Sequence, residues 1–282
     1  MPPKTILITG CSTGIGRATA ERLVGRGHTV YASARKLDAI ADLEAAGCHT
    51  LALDVCDEQS MQAAVARVVE NHGAVDALVN NAGYSQSGAI ETITMDALRR
   101  QFETNVFGLV RMSQLVLPSM RQQRAGRIVN ISSMGANLVF PGGGAYHATK
   151  FAVNAISDAL RFEVKGFGVD VVTVEPGAIR TNFDQAALAS ISGAAETDGP
   201  YAEFNASVGA ITKAAYERGV LKLFGGPPSA VAKVIEKAIT ARRPRARYRV
   251  TPSAKLMVAQ RKVMTDGMWD AFVGTQFPHP GR

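Results

Sequence analysis

A rhythm constrains this chain more than any single motif: short, continuously apolar runs alternate with longer helical patterns over its first two thirds. Thr5 to Thr9 reads as a strand and Gly16 to Arg26 as a helix; His28 to Ser33 follows as a strand and Leu37 to Ala46 as a helix. Thr50 to Asp54 is a third strand, followed by a helix from Glu58 to Asn71. Val75 to Val79, Arg127 to Ile131 and Val169 to Val174 are further strands. Long helical segments, Met95 to Met120 and Ala145 to Lys165, lie between these, and Pro118 is expected to end or kink the first. Such alternation predicts an α/β fold with a parallel sheet covered by helices on both faces. Strands without polar alternation are what burial on both faces demands. Ligands in such sheets bind beyond the carboxyl ends of the strands, and each conspicuous motif here falls at one of those ends.

The rhythm stops after Thr181. From about Phe183 to Pro228 the sequence is rich in Ala, Gly and Ser, with helical pieces and no strand, and it is expected to form a helical lid or substrate loop over about 183–228. A helix from Ser229 to Ala241, a short strand around Arg247 to Val250 and a helix from Ser253 to Phe272 complete the pattern. No repeat or low-complexity linker argues for a second domain, so residues 1–282 are expected to form one catalytic domain.

Composition narrows the function. The 46% hydrophobic and 20% charged fractions are those of a soluble globular protein, and 282 residues can bury a large core without metals or disulfides. Cys11, Cys48 and Cys56 are odd in number with no metal-like or redox-pair spacing, and the five histidines are scattered. No metal site is expected, and a reduced, cytoplasmic setting is. The apolar run Ile6 to Ile8 is too short for a secretory core, and the stretch from Val106 to Leu117 is interrupted by Arg111, so no membrane span is expected. The net charge of +7 raises the question of nucleic acid. Arg242, Arg243, Arg245, Arg247 and Arg249 cluster, but only Tyr248 is at hand to stack on a base. The run reads as a solvated helix end entering an edge strand, with no nucleic-acid partner.

Thr9-Gly10-Cys11-Ser12-Thr13-Gly14-Ile15-Gly16 joins the first strand to the first helix. The spacing is G-x-x-x-G-x-G rather than G-x-G-x-x-G, but the logic is shared. Glycine permits a tight turn and close backbone approach, and the helix offers unpaired N–H groups to a pyrophosphate. Gly10, Ser12, Thr13, Gly14, Ile15 and Gly16 are therefore candidate cofactor residues. At the end of the second strand, an acidic residue would favour NAD through the ribose hydroxyls. Here stands Ser33-Ala34-Arg35-Lys36, and the two cations suit the extra phosphate of NADP, with Arg35 able to bind it in a forked geometry. NADP is the expected cofactor and NAD the alternative. Asp54-Val55 after the third strand and Asn81-Ala82-Gly83 after the fourth are also candidates. Asp54 can accept from an adenine amino group or cap a helix, and Asn81 can tie neighbouring strand ends together.

The fifth strand ends in Ser132-Ser133; Tyr146 follows thirteen residues after Ser133, and Lys150 four after Tyr146. Four residues along a helix return to one face, so the phenol and the amine project into the same space. Reduction of a ketone by hydride needs a proton donor at the developing alkoxide. A phenol with a pKa near 10 ionises more readily beside an ammonium, and lowering it by about three units takes roughly 4 kcal/mol. The Ser133 hydroxyl can hydrogen-bond the substrate oxygen as charge develops there. Asn105 would interrupt a buried helix awkwardly unless its amide held a water or a backbone carbonyl, and it can belong to a proton relay behind Lys150. His147, next to Tyr146, points elsewhere on the helix and reads as structural.

Thr9 to Gly16, Asn80 to Gly83, Asn105, Ser133, Tyr146, Lys150 and Pro176-Gly177 with Thr181 together resemble the motif set of the short-chain dehydrogenase/reductase family, in order, over about residues 4 to 181. The resemblance implies a Rossmann-type, doubly wound parallel sheet of about seven strands and a catalytic tetrad of Asn105, Ser133, Tyr146 and Lys150. It further implies that Lys150 holds the nicotinamide ribose, that Pro176, Gly177 and Thr181 line the nicotinamide end, and that the protein is a homodimer or homotetramer. The segment after Thr181 and the strand Arg245 to Val250 are similar to the hydroxysteroid and retinol dehydrogenase-like branch, which implies a lipophilic alcohol or ketone. The expected activity is NADP(H)-dependent interconversion of a ketone and a secondary alcohol on a small molecule. Two other readings share this core: a ketoacyl-carrier-protein reductase, and a non-catalytic NADP-binding sensor.

Overall fold

The computed structural model describes residues 2–181, 187, 190–191, 199–217 and 225–281. Among them are seven strands in one sheet: β1 (Thr5–Ile8), β2 (Thr29–Ala34), β3 (His49–Ala52), β4 (Ala77–Asn80), β5 (Gly126–Ile131), β6 (Val169–Glu175) and β7 (Arg247–Arg249). Their order is β3-β2-β1-β4-β5-β6-β7 with every pairing parallel, a doubly wound Rossmann-type sheet. The order reverses between β1 and β4, and the ends of those two strands open the crevice where such sheets bind ligands.

Helices cover both faces, as the apolar strands require. Ile6 and Ile8 of β1 pack with Val30, Val79, Val129 and Val172 on one face, against α1 (Gly14–Val24) and α8 (Pro228–Thr240). Leu7 turns to the other face with Tyr31, Leu78, Ile128 and Val171, against α3 (Glu58–His72) and α5 (Gly108–Gln122). Fully burying each such side chain stabilises the fold by roughly 1.5–3 kcal/mol. α2 (Ala41–Ala45), α4 (Met95–Phe102), α6 (Gly144–Val164), α7 (Ala202–Glu217), α9 (Pro252–Val263) and α10 (Asp266–Gly274) complete the helices among the described residues.

Three details depart from the sequence reading. β3 starts at His49 and stops at Ala52, short of Asp54, whose carboxylate instead accepts the Cys56 N–H at 3.0 Å in a turn. The expected helix over Met95 to Met120 carries a π turn at Glu103–Phe107, and Pro118 does not end it: α5 runs on to Gln122. Pro118 and Gln114 are both on the exposed side, so water can reach the carbonyl that loses its intrahelical donor, while Met112, Val116 and Met120 anchor the buried side. The expected helix over Ser253 to Phe272 breaks in two at Met264, which is extended, and Thr265 restarts it by capping the Met268 N–H.

Residues 183–186, 188–189, 192–198 and 218–224 of the expected lid lie outside the described residues. Within the described part, α7 places Phe204 and Val208 against Ala89 and Ile191. Of the arginine run, Arg247 pairs with Asp158 at 2.8 Å and Arg249 with the buried carboxylate of Glu175 at 3.0 Å. The edge strand thus ties two of those five charges to carboxylates. Arg242, Arg243 and Arg245 are exposed.

Candidate active site

The glycine-rich turn is shaped by what crowds it. The Thr9 hydroxyl accepts the N–H groups of Asn81 and Ala82, each at 3.0 Å, and the Asn81 amide donates to the carbonyls of Thr9 and Gly10, each at 2.9 Å. Asn81 therefore stitches the ends of β1 and β4 together, as its position suggested. A Cβ at Gly16 would lie 2.3 Å from the Gly10 carbonyl oxygen, and Gly10 itself has φ +73° with Ala82 Cα 2.9 Å from where its Cβ would stand. No side chain fits at either place. Gly14 faces Thr181, whose Cγ2 lies 3.1 Å from a Cβ placed there, so the turn meets the segment after β6.

This turn suits a pyrophosphate. Thr13, the residue capping α1, makes no side-chain cap bond, and the first turn of α1 holds no acid. Its leading N–H groups are left for an anion. Ser12 and Thr13 are exposed and Ile15 is half-buried against the core. Arg17 grips Asp42 with two bonds of 2.5 and 2.8 Å and reaches the carbonyls of Ala39 and Ser12, fastening the turn to the β2–α2 connection. Arg35 and Lys36 are exposed just past β2, and no ion pair engages either among the described residues. Val55 is buried against Gly108, where a Cβ would meet the Val55 carbonyl oxygen at 2.4 Å.

At the other side of the crevice, the π turn carries Asn105 inward. Its side-chain oxygen accepts the Tyr84 N–H at 3.1 Å, and its amide donates to the Tyr84 carbonyl at 3.0 Å and to the Thr149 hydroxyl at 3.1 Å. The backbone carbonyl expected as its partner is therefore that of Tyr84. Thr149, which the sequence reading left out, links this asparagine to α6. A Cβ at Gly83 would stand 3.0 Å from Asn105 Oδ1 and 3.8 Å from Lys150 Nζ, so Asn105, Gly83 and Lys150 converge.

Lys150 is 6% exposed and its Nζ donates to the Ile131 carbonyl at 2.9 Å. Burial pushes its pKa down from 10.5 to about 8. The same amine lies 5.7 Å from the centre of the half-buried Tyr146 ring. Ser133 opens a tight turn after β5, and its oxygen accepts the Gly135 N–H at 3.0 Å. That bond uses the oxygen as acceptor and leaves the hydroxyl proton for a substrate oxygen. Pro176 is buried, and its carbonyl accepts the Met134 N–H at 2.9 Å, joining the segment after β6 to the Ser133 turn. Gly177 has no room for a side chain, with Thr251 Oγ1 2.3 Å from an added Cβ. Among the described residues, no group of three His, Cys, Asp or Glu could hold a metal, and no helix is long and apolar enough to cross a membrane.

Comparison with known proteins finds the family described as short chain dehydrogenase matched over residues 4–191. The chain belongs to the short-chain dehydrogenase/reductase family. Within it, this dehydrogenase/reductase is 37% identical over 264 residues, 93% of each chain, to a 3-ketodihydrosphingosine reductase of Bacteroides thetaiotaomicron. It is 34% identical over 273 residues, 94% of each chain, to an NADPH-dependent 3-dehydrocapnine reductase of Ornithobacterium rhinotracheale. A solved short-chain dehydrogenase from Streptomyces avermitilis superposes with a TM-score of 0.80 at 37% identity, covering 93% of both chains. The protein is thus an oxidoreductase with the machinery of an NAD(P)-dependent enzyme.

Proposed function

We propose that this oxidoreductase uses NADP(H) to interconvert a ketone and a secondary alcohol on a lipophilic small molecule, with Asn105, Ser133, Tyr146 and Lys150 as its catalytic residues. The observation that carries the reading is the buried amine of Lys150 beside the Tyr146 ring, at the carboxyl end of β5. The cofactor, when bound, supplies or takes up hydride at the carbonyl carbon. Gly10, Ser12, Thr13, Gly14, Ile15 and Gly16 would hold its pyrophosphate; Asp54, Val55, Asn81, Ala82 and Gly83 its adenosine side; Tyr146, Lys150, Pro176, Gly177 and Thr181 its nicotinamide side.

In the reductive direction the Tyr146 hydroxyl gives its proton to the carbonyl oxygen, and the C=O bond becomes CH–OH. Ser133 donates to the same oxygen and stabilises charge there before the proton arrives. The Lys150 ammonium favours the phenolate that Tyr146 becomes. Asn105 fixes the main chain of Tyr84 from both sides and, through Thr149, its distance to α6.

Three observations support the finer points. The cations Arg35 and Lys36 stand where an acid would favour NAD, and one relative is named as NADPH-dependent. Both relatives named above are reductases of a 3-keto or 3-dehydro compound. Leu138, Met134 and Phe140, just past Ser133, are walled by Val258, Trp269 and Phe277, an apolar surrounding consistent with the resemblance to the hydroxysteroid and retinol branch. We further take residues 1–282 as a single catalytic domain with a substrate lid over about 183–228, working in the cytoplasm as a homodimer or homotetramer.

Tyr146→Phe tests the reading. With a panel of lipophilic ketones, its kcat should fall by about 10²–10⁴-fold, the usual worth of a positioned acid. NADPH binding, followed by fluorescence, should persist. Turnover at the wild-type rate would remove Tyr146 from the mechanism.

A further inference from the structure

One ring on α6 reaches the loop that begins at Ser133 in two places. His147, the residue after Tyr146, is 8% exposed, and both of its nitrogens meet main chain of that loop. Nδ1 lies 2.9 Å from the Gly135 carbonyl oxygen, and Nε2 stands 3.4 Å from the Phe140 backbone nitrogen. A carbonyl only accepts and an amide N–H only donates, so the ring must carry its proton on Nδ1 and none on Nε2. One tautomer of the neutral imidazole satisfies both contacts; the imidazolium satisfies only the first. Two glycines make the seat. A Cβ at Gly135 would lie 2.4 Å from Nδ1, and one at Gly143 would lie 2.7 Å from Nε2.

The surroundings make this ring the clamp's own switch. Residues 133–143 contain no ionisable side chain. From α6 itself, Tyr146 stands edge-on at 5.8 Å, and Lys150 directs its amine to Ile131. From the C-terminal helices the contact with the loop is aromatic: Trp269 packs 5.7 Å from Phe140, which lies 6.3 Å from His147. Burial holds the imidazole pKa below its ordinary 6.5, only partly offset by the Gly135 carbonyl. The neutral form is the one that fits.

We propose that His147 is a positioning residue whose neutral ring clamps the Ser133 loop onto the helix bearing Tyr146, so that its protonation frees the loop and halts turnover. The catalytic half of this statement rests on the function proposed above. The structural half does not, because Trp269 is the sole tryptophan of the chain and its indole N–H donates to the Val139 carbonyl at 3.1 Å. Its emission reads the position of the loop whether or not a ketone is turned over.

The experiment titrates full-length wild type, His147→Asn and Gly143→Ala from pH 7.5 down to 5, following kcat for a ketone, NADPH affinity and Trp269 emission. Asparagine keeps a donor for Gly135 and removes the titrating group. In wild type, kcat should fall and emission shift together as pH drops, with a midpoint under the ordinary imidazole value of about 6.5. In His147→Asn, kcat at pH 7.5 should be down about 10-fold or more, as small misplacements of a reacting group cost. NADPH affinity should hold, and both the acid limb and the emission shift should vanish. Gly143→Ala, whose methyl displaces the ring, should show shifted emission already at pH 7.5. An unmoved wild-type emission, or an acid limb preserved in His147→Asn, would overturn the clamp. An emission shift without turnover of any ketone would uphold the clamp and sink the proposed function instead. Should His147→Asn not fold, the emission of wild type and Gly143→Ala decides.

Discussion

Lys150 brings a cation where water cannot follow, and the cost is visible in its pKa, lowered by burial from 10.5 to about 8. Between those two values the unfolded chain holds a proton that the folded chain resists, so stability rises with pH across that window and the deficit is full below it. The gap corresponds to about 3 kcal/mol. Lys150→Met should therefore be more stable than wild type near pH 7 relative to their difference at pH 10.5, with the advantage shrinking as pH rises. Urea unfolding of both proteins at the two pH values measures this, and a pH-independent difference would contradict it. Arg35 makes a second residue-scale prediction. If it binds the extra phosphate, Arg35→Ala should raise KM for NADPH by about 10-fold or more, the scale of a charge-assisted hydrogen bond, and leave NADH nearly untouched. Equal losses for both cofactors would refute the assignment. Of these residues, Tyr146 and Lys150 were legible in the sequence because their pairing is local, one helical turn apart. Thr149 on Asn105 and His147 on Gly135 were not, since each contact spans separate elements and depends on the path the loops take.

At the scale of elements, the strands were the most legible part, because continuous apolar runs leave little choice of environment. Their ends were less so: β3 stops at Ala52 because Asp54 turns its carboxylate onto the Cys56 N–H, a local competition that apolar patterning does not register. The π turn at Glu103–Phe107 left no periodic mark either, although π turns favour functional sites and this one aims Asn105 at Tyr84 and Thr149. Pro118 misleads for the opposite reason. Proline is a strong breaker in a peptide, but here it sits on the wet side of a helix held by Met112, Val116 and Met120. Its cost remains in the folded protein. Pro118→Ala should restore a donor to the Gln114 carbonyl and stabilise the protein by about 1–3 kcal/mol, less than the full helix-interior penalty because that carbonyl is hydrated. Thermal unfolding would show it, with kcat unchanged; a loss of stability would mean that the proline ring itself packs.

The whole molecule divides its work along the chain in a way no local pattern announces. On the proposed reading, the pyrophosphate and adenosine are held at the ends of β1, β2 and β4 and the start of α1, all before Tyr84. The proposed substrate side draws on segments far apart in sequence, the turn after Ser133 and the helices α9 and α10, which cover Leu138 and Phe140 with Val258, Trp269 and Val273. The C-terminal region reads in the sequence as helix and nothing more, because what it covers lies more than a hundred residues earlier. Trp269 is the joint: it is 5% exposed, packs on Phe140 and Phe272, and donates to the Val139 carbonyl. Two substitutions separate its contributions. Trp269→Phe keeps a ring and forfeits one hydrogen bond, and should cost about 1 kcal/mol of stability. Trp269→Ala empties the joint and should cost about 3–5 kcal/mol, loosening the loop that Ser133 begins. Because the residues proposed to hold the pyrophosphate and adenosine touch none of the groups around Trp269, kcat/KM for the ketone should fall in Trp269→Ala while the Kd for NADPH stays near the wild-type value. Stopped-flow binding beside steady-state rates would reveal the split, and a parallel loss of both would show that the two sides of the crevice yield as one cooperative unit.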